Sequence, residues 1–221
     1  MTYLLQPDFD FLIKIMVLGN SGVGKTSFIH QFFDGTYSHK YCTTVGIDFR
    51  EKVMEIPGDD RRVSVQVWDT AGQERYRSLS TSFYRDAMGF VLIFDVTNLQ
   101  SFLDVAHWIV ELKTHTYSSS PKIILCGNKI DLASERKISA STAVKLCKDY
   151  NMPYVETSAF SGEGLEKSIT TLMELILTSI DGKKQDYPLQ RRRPKQFSTR
   201  EEDLKEFEEW KHMRESSKCC R

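Results

Sequence analysis

The sequence lacks the features that mark a secreted or membrane-spanning protein. Its five cysteines occur as lone Cys42, Cys126 and Cys147 and a terminal pair, without the spacing of a metal site or a disulfide framework. Its apolar runs are all far shorter than the roughly 18 residues that cross a bilayer, and the N-terminal segment has no basic stretch of the kind that opens a signal peptide. We therefore expect a chain of the reducing cytosol that is neither exported nor membrane-spanning.

The sequence also lacks an excess of either charge. Lys+Arg and Asp+Glu both number 30 among 221 residues, so a general nucleic-acid binder is not expected. Hydrophobic residues make up 40% of the chain and charged residues 27%, which suits one globular domain followed by a tail. We predict an extension over residues 1–8, a domain over 9–181 and a tail over 182–221.

A phosphate-binding motif stands near the start of the chain. Residues 19–26 read GNSGVGKT, the pattern of a glycine, four variable residues and then Gly-Lys-Thr. Glycines allow successive backbone N–H groups to meet one phosphate, the lysine adds positive charge at the β and γ oxygens, and the threonine hydroxyl is a ligand for Mg²⁺. The predicted nucleotide-binding residues here are Asn20, Ser21, Gly22, Val23, Gly24, Lys25, Thr26 and Ser27.

Apolar runs of strand length alternate with helical periodicities along the chain. The strand-like runs are 11–18, 90–96, 122–126 and 154–156, and the helical patterns are 27–33, 101–115, 139–150 and 164–180. Two more runs, 47–56 and 62–68, flank a Pro-Gly-Asp-Asp turn and predict an antiparallel hairpin. The predicted fold is α/β, with a doubly wound, mostly parallel six-stranded sheet that contains one antiparallel strand.

Polar residues follow one of the hairpin strands, where ligands bind in open α/β sheets. Asp69 closes this strand and is a candidate carboxylate for Mg²⁺, while Gly72 offers an N–H that a γ-phosphate can approach. Such a short stretch taken alone is as often an ordinary turn. Its place after a phosphate loop is what favours the functional interpretation.

Two further motifs follow the later strands and suggest a base pocket. Asn128, Lys129 and Asp131 directly follow a strand, and a carboxylate there accepts both N–H donors on one edge of guanine, a pair that adenine lacks. Ser158 and Ala159 follow the next strand and offer a backbone N–H to the guanine oxygen. Each motif alone is more often a turn or a helix cap. Their common position at strand ends predicts a guanine pocket.

These elements together resemble those of the Ras-type small GTPases, and longer passages resemble the Rab family. The Rab-like passages are VGIDF at 45–49, WDTAGQERYRSL at 68–79, FYRDAMG at 83–89 and LIFDVT at 92–97. The likeness covers about residues 9–181 and implies the P-loop NTPase fold of Ras proteins. Passages at 49–52, 85–90 and 125–129 resemble the secretory-granule and melanosome branch of the family.

The resemblance implies roles that the residues alone do not assign. Thr44 would close on Mg²⁺ and the γ-phosphate, Tyr37 would pack against guanine, and Gln73 would position the attacking water. The implied catalytic residues are Gln73 and Lys25, the Mg²⁺ ligands are Thr26, Thr44 and Asp69, and the effector-binding residues are Ile47, Phe49, Trp68 and Phe83. For the three aromatic rings among the last group, ordinary core packing is the alternative.

The resemblance also implies membrane attachment through the tail. Cys219 and Cys220 resemble the pair that Rabs have geranylgeranylated, although Arg221 follows them here. Two lipid chains would hold the protein on the cytoplasmic face of secretory vesicle or granule membranes, from which it would cycle with the cytosol. The implied partners are effectors, an exchange factor, a GAP, a GDP-dissociation inhibitor and a prenylation escort protein, together with GTP and GDP.

The expected function is a GTP-binding and GTP-hydrolysing switch that recruits effectors in vesicle trafficking and regulated exocytosis. Water would attack the γ-phosphate in line, and because the sequence places no arginine beside the nucleotide, a GAP should supply one. Two alternatives are a phosphate-loop kinase, which needs an acceptor pocket and an arginine-rich lid, and a scaffold indifferent to nucleotide. The guanine motif at 128–131 argues against the first, and Lys25, Thr44 and Gln73 argue against the second.

Overall fold

The computed structural model describes residues 9–37, 47–56, 59–70, 84, 86–116 and 121–182. The strands are β1 (Phe11–Leu18), β2 (Ile47–Ile56), β3 (Asp59–Thr70), β4 (Gly89–Asp95), β5 (Lys122–Asn128) and β6 (Tyr154–Glu156). The α-helices are α1 (Lys25–Asp34), α2 (Leu99–Leu103), α3 (Val105–His115), α4 (Ala140–Tyr150) and α5 (Leu165–Gly182), and Ala133–Glu135 forms a 3₁₀ turn.

The strands form one six-stranded sheet in the order β2-β3-β1-β4-β5-β6. Strand β2 pairs with β3 antiparallel, and all other neighbours pair parallel. This confirms the predicted α/β class with a single antiparallel strand. Because the parallel strands share one direction, the loops that follow β1, β3, β5 and β6 meet at the same edge of the sheet.

The central strands are apolar on both faces because helices cover both sides of the sheet. Along β1, Ile13 and Ile15 pack with α1 and α5 on one side, whereas Met16 packs with α3 and α4 on the other. Strand β4 is buried throughout. Two separate hydrophobic layers therefore fix the sheet, and the strand ends are held in place from both faces.

Strand β3 carries buried polar side chains, not apolar ones, on the face opposite its valines. Ser64 and Gln66 are buried, and both donate to the carboxylate of Glu51 on β2, at 2.5 Å and 3.1 Å. Buried polar groups need such partners, because an unmade hydrogen bond in the interior is unfavourable. The contact fixes the hairpin whose far end delivers Asp69 to the site.

The helical pattern predicted over 101–115 is two helices, which corrects the sequence prediction. The first helix starts earlier, at Leu99, because the side chain of Asn98 accepts the N–H groups of Gln100 and Ser101 as an N-cap. The break falls at Asp104, whose carboxylate is bonded by Gln100 and by Asn20 of the loop after β1. Periodicity alone did not reveal this interruption, because the apolar spacing continues across it.

The end of α5 is tied to the start of β3. Arg61 donates two hydrogen bonds to the carboxylate of Asp181, at 2.8 Å and 2.9 Å. The parallel strands begin at this side of the sheet, so α5 ends on the side opposite the phosphate loop. In the described part of the chain, no helix is long and apolar enough to cross a membrane.

The two cysteines of the described domain are free and buried. Burial raises the pKa of the Cys126 thiol to about 12 and that of Cys147 to about 11. Both thiols are therefore protonated at neutral pH, and a thiol is a weak nucleophile in that form. We assign them to packing.

Candidate functional site

The loop between β1 and α1 has the backbone shape that phosphate binding requires. Gly22 and Gly24 have φ angles of 78° and 99°, in the left-handed region that glycine adopts without strain. A Cβ atom on Gly24 would also lie 2.5 Å from the amide nitrogen of Asn128. Position 24 therefore needs a glycine both for its backbone angle and for the close approach of Asn128.

Lys25 opens α1, two residues before the helical pattern predicted over 27–33, and its side chain lies inside the loop. Its ammonium group donates to the carbonyl oxygens of Gly19 and Asn20, each at 2.9 Å. Burial lowers the pKa of Lys25 to about 8, although the negative charge of Asp69 acts in the opposite direction. The site thus holds a desolvated cation among neutral carbonyls, an arrangement that an anionic phosphate would stabilise.

Thr26 and Asp69 bring two oxygen donors together beside the phosphate loop. The Thr26 hydroxyl donates to a carboxylate oxygen of Asp69 at 2.6 Å, and Asp69 is 6% exposed. Mg²⁺ is typically held by one or two such protein oxygens together with substrate phosphates. These two residues therefore fit Mg²⁺, even though the described ranges contain no cluster of three His, Cys, Asp or Glu side chains arranged for a metal.

Asn128 joins the base side of the site to the phosphate side. Its amide nitrogen donates to the carbonyl of Val23 at 2.8 Å. Its amide oxygen accepts the backbone N–H of Ala159 at 3.0 Å and the hydroxyl of Thr157 at 3.3 Å. Asn128 is fully buried, so this one side chain connects the loops that follow β1, β5 and β6.

Asp131 and Lys129 occupy the turn after β5. Asp131 is exposed and accepts the hydroxyl of Ser158 at 2.5 Å. Lys129 has a φ of 68°, a left-handed conformation that is unfavourable for residues other than glycine, and its ammonium lies 2.6 Å from Asp95. The predicted guanine carboxylate is thus exposed and held by the loop after β6.

The backbone donors predicted to meet the guanine oxygen are already engaged within the protein. The N–H of Thr157 donates to Gly127, that of Ser158 to Glu163 and that of Ala159 to Asn128, at 2.9, 3.0 and 3.0 Å. The prediction of a free donor in this loop therefore needs one of these bonds to be exchanged.

Tyr37 and Phe160 form an aromatic pair beside the loop that follows β6. The ring centroids lie 5.2 Å apart with the ring planes at 83°, an edge-to-face arrangement. The two side chains are 39% and 53% exposed. Phe160 follows Ala159 directly, so the pair connects the base loop with the segment that leaves α1.

Asp104, Trp108 and Asp95 belong to the site but were missed by the sequence prediction. The Asp104 carboxylate accepts a hydrogen bond from the amide nitrogen of Asn20 at 2.5 Å. The indole of Trp108 donates to the amide oxygen of Asn20 at 2.8 Å. These bonds direct the Asn20 side chain toward α3. The sequence prediction did not single out Trp108, because nothing local connects it to a residue 88 positions away.

Phe49 and Trp68 face each other across the β2–β3 ladder. Their rings stack with centroids 4.9 Å apart, and the ammonium of Lys14 lies 4.3 Å from the Trp68 ring. Phe49 is 48% exposed, so for this ring the alternative of simple core packing is wrong. Ile47 opens β2 beside them.

Six of the predicted site residues lie outside the described ranges, and their roles stay predictions: Thr44, Gly72, Gln73, Phe83, Cys219 and Cys220. The structure brings together the phosphate loop, Thr26 with Asp69, and the base residues after β5 and β6. Ser21 and Ser27 flank this assembly in the loop and in the first turn of α1.

Comparison with known proteins gives a consistent family relationship. A model of the Ras family matches residues 14–178. Ras-related protein Rab-27A of Homo sapiens is 50% identical over 182 residues, which cover 79% of this chain and 82% of that protein, and the Rattus norvegicus protein gives the same values. Ras-related protein Rab-27B of Homo sapiens is 47% identical, with 79% and 84% of the two chains covered. The family match includes the described site from the phosphate loop to Ala159.

Proposed function

Since the chain belongs to the Ras family of small GTPases, which hydrolyse GTP, we propose that it acts as a Rab-type switch in vesicle trafficking and regulated exocytosis. The observation that supports this best is Asn128, because its amide bonds both the phosphate loop and the loop that flanks the base. A switch needs its base and phosphate contacts to form as one unit.

Guanine would be selected at the turn after β5. The Asp131 carboxylate is exposed at the mouth of the pocket, where it can accept the two N–H donors of guanine. The N–H of Ala159 would pass from Asn128 to the guanine oxygen when the base binds. Asn128 would then keep its bonds to Val23 and Thr157, so the phosphate loop would stay in place during the exchange.

The phosphates would lie over the N-terminus of α1, where Lys25 and the loop N–H groups stabilise negative charge. Bound Mg²⁺, held by Thr26 and Asp69 and by the predicted ligand Thr44, would supply charge neutralisation at the β and γ oxygens. Gln73 would orient the attacking water. Hydrolysis would be slow without a GAP that donates an arginine.

The stacked pair of Phe49 and Trp68 is the proposed contact for effectors that read the GTP state. An exposed aromatic ring on a rigid two-stranded ribbon is the kind of anchor that protein interfaces use.

The tail beyond the domain would carry geranylgeranyl groups on Cys219 and Cys220. An escort protein and a GDP-dissociation inhibitor would bind the chain in that role. The domain division at residues 9–181 and 182–221 belongs to the same proposal.

A nucleotide competition measurement tests the switch. GTP and GDP should displace a fluorescent GDP analogue from the full chain at near-equimolar amounts, whereas ATP should not. Displacement by ATP at similar concentrations would favour the phosphate-loop kinase.

Gln73→Leu should bind GTP as the wild type does and hydrolyse it at least tenfold more slowly, because leucine cannot orient water. Glu174→Leu, at an exposed position of α5 away from the phosphate loop, is the control and should hydrolyse GTP normally.

Cell fractionation tests the membrane part of the proposal. Replacing both Cys219 and Cys220 by serine should move the protein into the cytosol, because each buried CH₂ contributes roughly 0.8 kcal/mol and one chain alone holds marginally. The single variants should pellet with vesicles to an intermediate extent. A double variant that still pellets would show that attachment does not depend on these cysteines.

A further inference from the structure

A concave site lies at the edge of the sheet opposite the phosphate loop. It is a cavity of about 770 Å³ bounded by α3, α4, α5 and the beginnings of β5 and β6. Val144, Met152 and Leu175 contribute apolar surface, and Lys113, Lys122 and Lys148 lie around them. The proposed switch leaves this cavity without a role.

The charge in this cavity has one sign. Its lining contains three lysines and, within the described part of the chain, neither aspartate nor glutamate. In the same part of the chain, no ion pair joins Lys113, Lys122 or Lys148 to a carboxylate. Lys113 lies instead over the ring of Tyr150, with its ammonium 5.5 Å from the centroid. The cavity is therefore complementary to a ligand that combines negative charge with apolar side chains.

The tail of the same chain contains a segment with this composition. Residues 201–210 read EEDLKEFEEW, with six carboxylates and one lysine between Glu201 and Glu209. Leu204, Phe207 and Trp210 recur at intervals of three and would share one side of a helical turn. We propose that residues 201–210 dock on this cavity within the same molecule, with the aromatic rings on its apolar surface and the carboxylates at its lysines.

The chain is long enough for this contact. The domain ends at Gly182 on the same side of the sheet as the cavity, since Asp181 bonds Arg61 at the start of β3. Strands β3 and β6 are four places apart, or about 20 Å at the usual strand spacing. The 18 residues from 183 to 200 reach about 60 Å when extended and average roughly 25 Å as a flexible coil. The linker therefore spans the distance without being stretched.

Docking would set the distance between the domain and the end of the chain. Eight residues separate Trp210 from Cys219. Nine extended steps cover about 30 Å, whereas the undocked tail of more than 35 residues allows over 100 Å. A docked tail would therefore hold the α3–α4 side of the domain near whatever carries the terminal cysteines.

Zero-length carbodiimide cross-linking of the full-length chain tests the contact, because it joins lysine to carboxylate only where the two meet. We expect cross-links from the carboxylates of residues 201–209 to Lys113, Lys122 or Lys148 in the monomer fraction, identified by peptide mass spectrometry. Phe207→Ala with Trp210→Ala keeps every charge and should lower their yield at least threefold. Val144→Gln should do the same, while Val110→Gln, an exposed valine of α3 outside the cavity, should not.

Several outcomes would overturn the proposal. Equal cross-linking to the exposed lysines Lys52, Lys137 and Lys167 would show a tail that samples the whole surface. Cross-links found only in dimers would assign the cavity to a second copy of the chain. A third outcome would assign the three lysines to a lipid surface. In that case the cross-links would be absent, and replacing the three lysines by glutamine would abolish binding of the unprenylated chain to phosphatidylserine vesicles.

Discussion

The base side and the phosphate side of the site satisfy their polar groups in different ways. On the base side, Asn128, Thr157 and Ala159 bond one another, and Ser158 bonds Asp131. On the phosphate side, the buried ammonium group of Lys25 donates to two carbonyl oxygens of its own loop. The side chains proposed to surround the base are thus already bonded to one another within the protein.

This difference indicates which interactions would contribute to nucleotide binding on the base side and on the phosphate side. In the proposed base pocket, the Asp131 carboxylate would select a base by whether that base presents N–H donors to it. The phosphate loop instead holds desolvated charge, which an anion relieves. Specificity should therefore depend on Asp131, and the pH dependence of binding should depend on Lys25.

The largest expected effect tests the base side. Asp131→Asn replaces a carboxylate oxygen by an N–H donor facing the guanine amine, so GDP affinity should fall by about 10²- to 10³-fold. Xanthine carries a carbonyl where guanine carries the amine, and xanthosine diphosphate should bind the variant better than GDP. Competition against a fluorescent nucleotide measures both affinities.

A matched substitution shows whether this effect belongs to the base pocket. Asp149→Asn removes an exposed carboxylate from α4, away from the phosphate loop, and should leave both affinities unchanged. If Asp131→Asn bound GDP normally, the assignment of Asp131 to the base would be wrong.

The next effect tests the phosphate side through pH. With its pKa lowered to about 8 without ligand, Lys25 is increasingly neutral above pH 8, and nucleotide binding must restore its proton. GDP affinity should therefore fall by up to tenfold per pH unit above about pH 8. Isothermal titration in buffers of different ionisation enthalpy measures the proton taken up. Lys25→Met should bind GDP more weakly, and neither the fall of affinity with pH nor the proton uptake should be seen in it. Subtracting the values of this variant removes the contribution from ionisation of guanine itself.

The stability of the nucleotide-free protein should have the opposite slope. Between about pH 8 and 10.5 the unfolded chain holds a proton on Lys25 that the folded chain has lost, so the free energy of unfolding rises with pH. The difference in free energy of unfolding between the wild type and Lys25→Met should change by up to about 3 kcal/mol over this pH range. Lys14, whose pKa burial also lowers to about 8, is common to both proteins and cancels. A flat difference would contradict the buried cation.

The smallest effect concerns the aromatic pair that borders the base side. Phe160→Ala removes the ring that contacts Tyr37, and because such pairs contribute about 0.5–1.5 kcal/mol, GDP should leave about three- to tenfold faster. Stopped-flow release of a fluorescent GDP measures the rate. Leu103→Ala, an exposed apolar truncation on α2, should release GDP at the wild-type rate. In a Tyr37→Leu background, Phe160→Ala should have little further effect, and simple additivity would show that the pair does not act together.

The sequence predicted the sheet well because strand position follows from local apolar runs. The antiparallel hairpin was recognised from its turn, but β3 extends to Asp59 and Thr70, beyond the predicted 62–68. The added residues pair with β2 at Ile56 and Ile47. Backbone pairing between strands continues past the last alternating valine, so no local apolar pattern marks its limits.

The sequence predicted the ligand-facing residues of the site better than the residues that support them. Motif spacing identified Lys25, Thr26 and Asp131, because phosphate and base chemistry restrict those positions. It did not identify Trp108 or Phe160, whose partners are distant in the chain. It also did not show that the Ala159 N–H is already bonded, since that depends on where Asn128 is placed by the sheet.

The connection made by Asn128 restricts how this protein can change during evolution. A substitution there would alter the base pocket and the phosphate loop at once, because the same amide bonds Val23 and Ala159. Asp131 lies at the exposed end of the pocket and bonds Ser158. New base preferences are therefore accessible by single steps at Asp131, whereas any change at Asn128 alters both halves of the site.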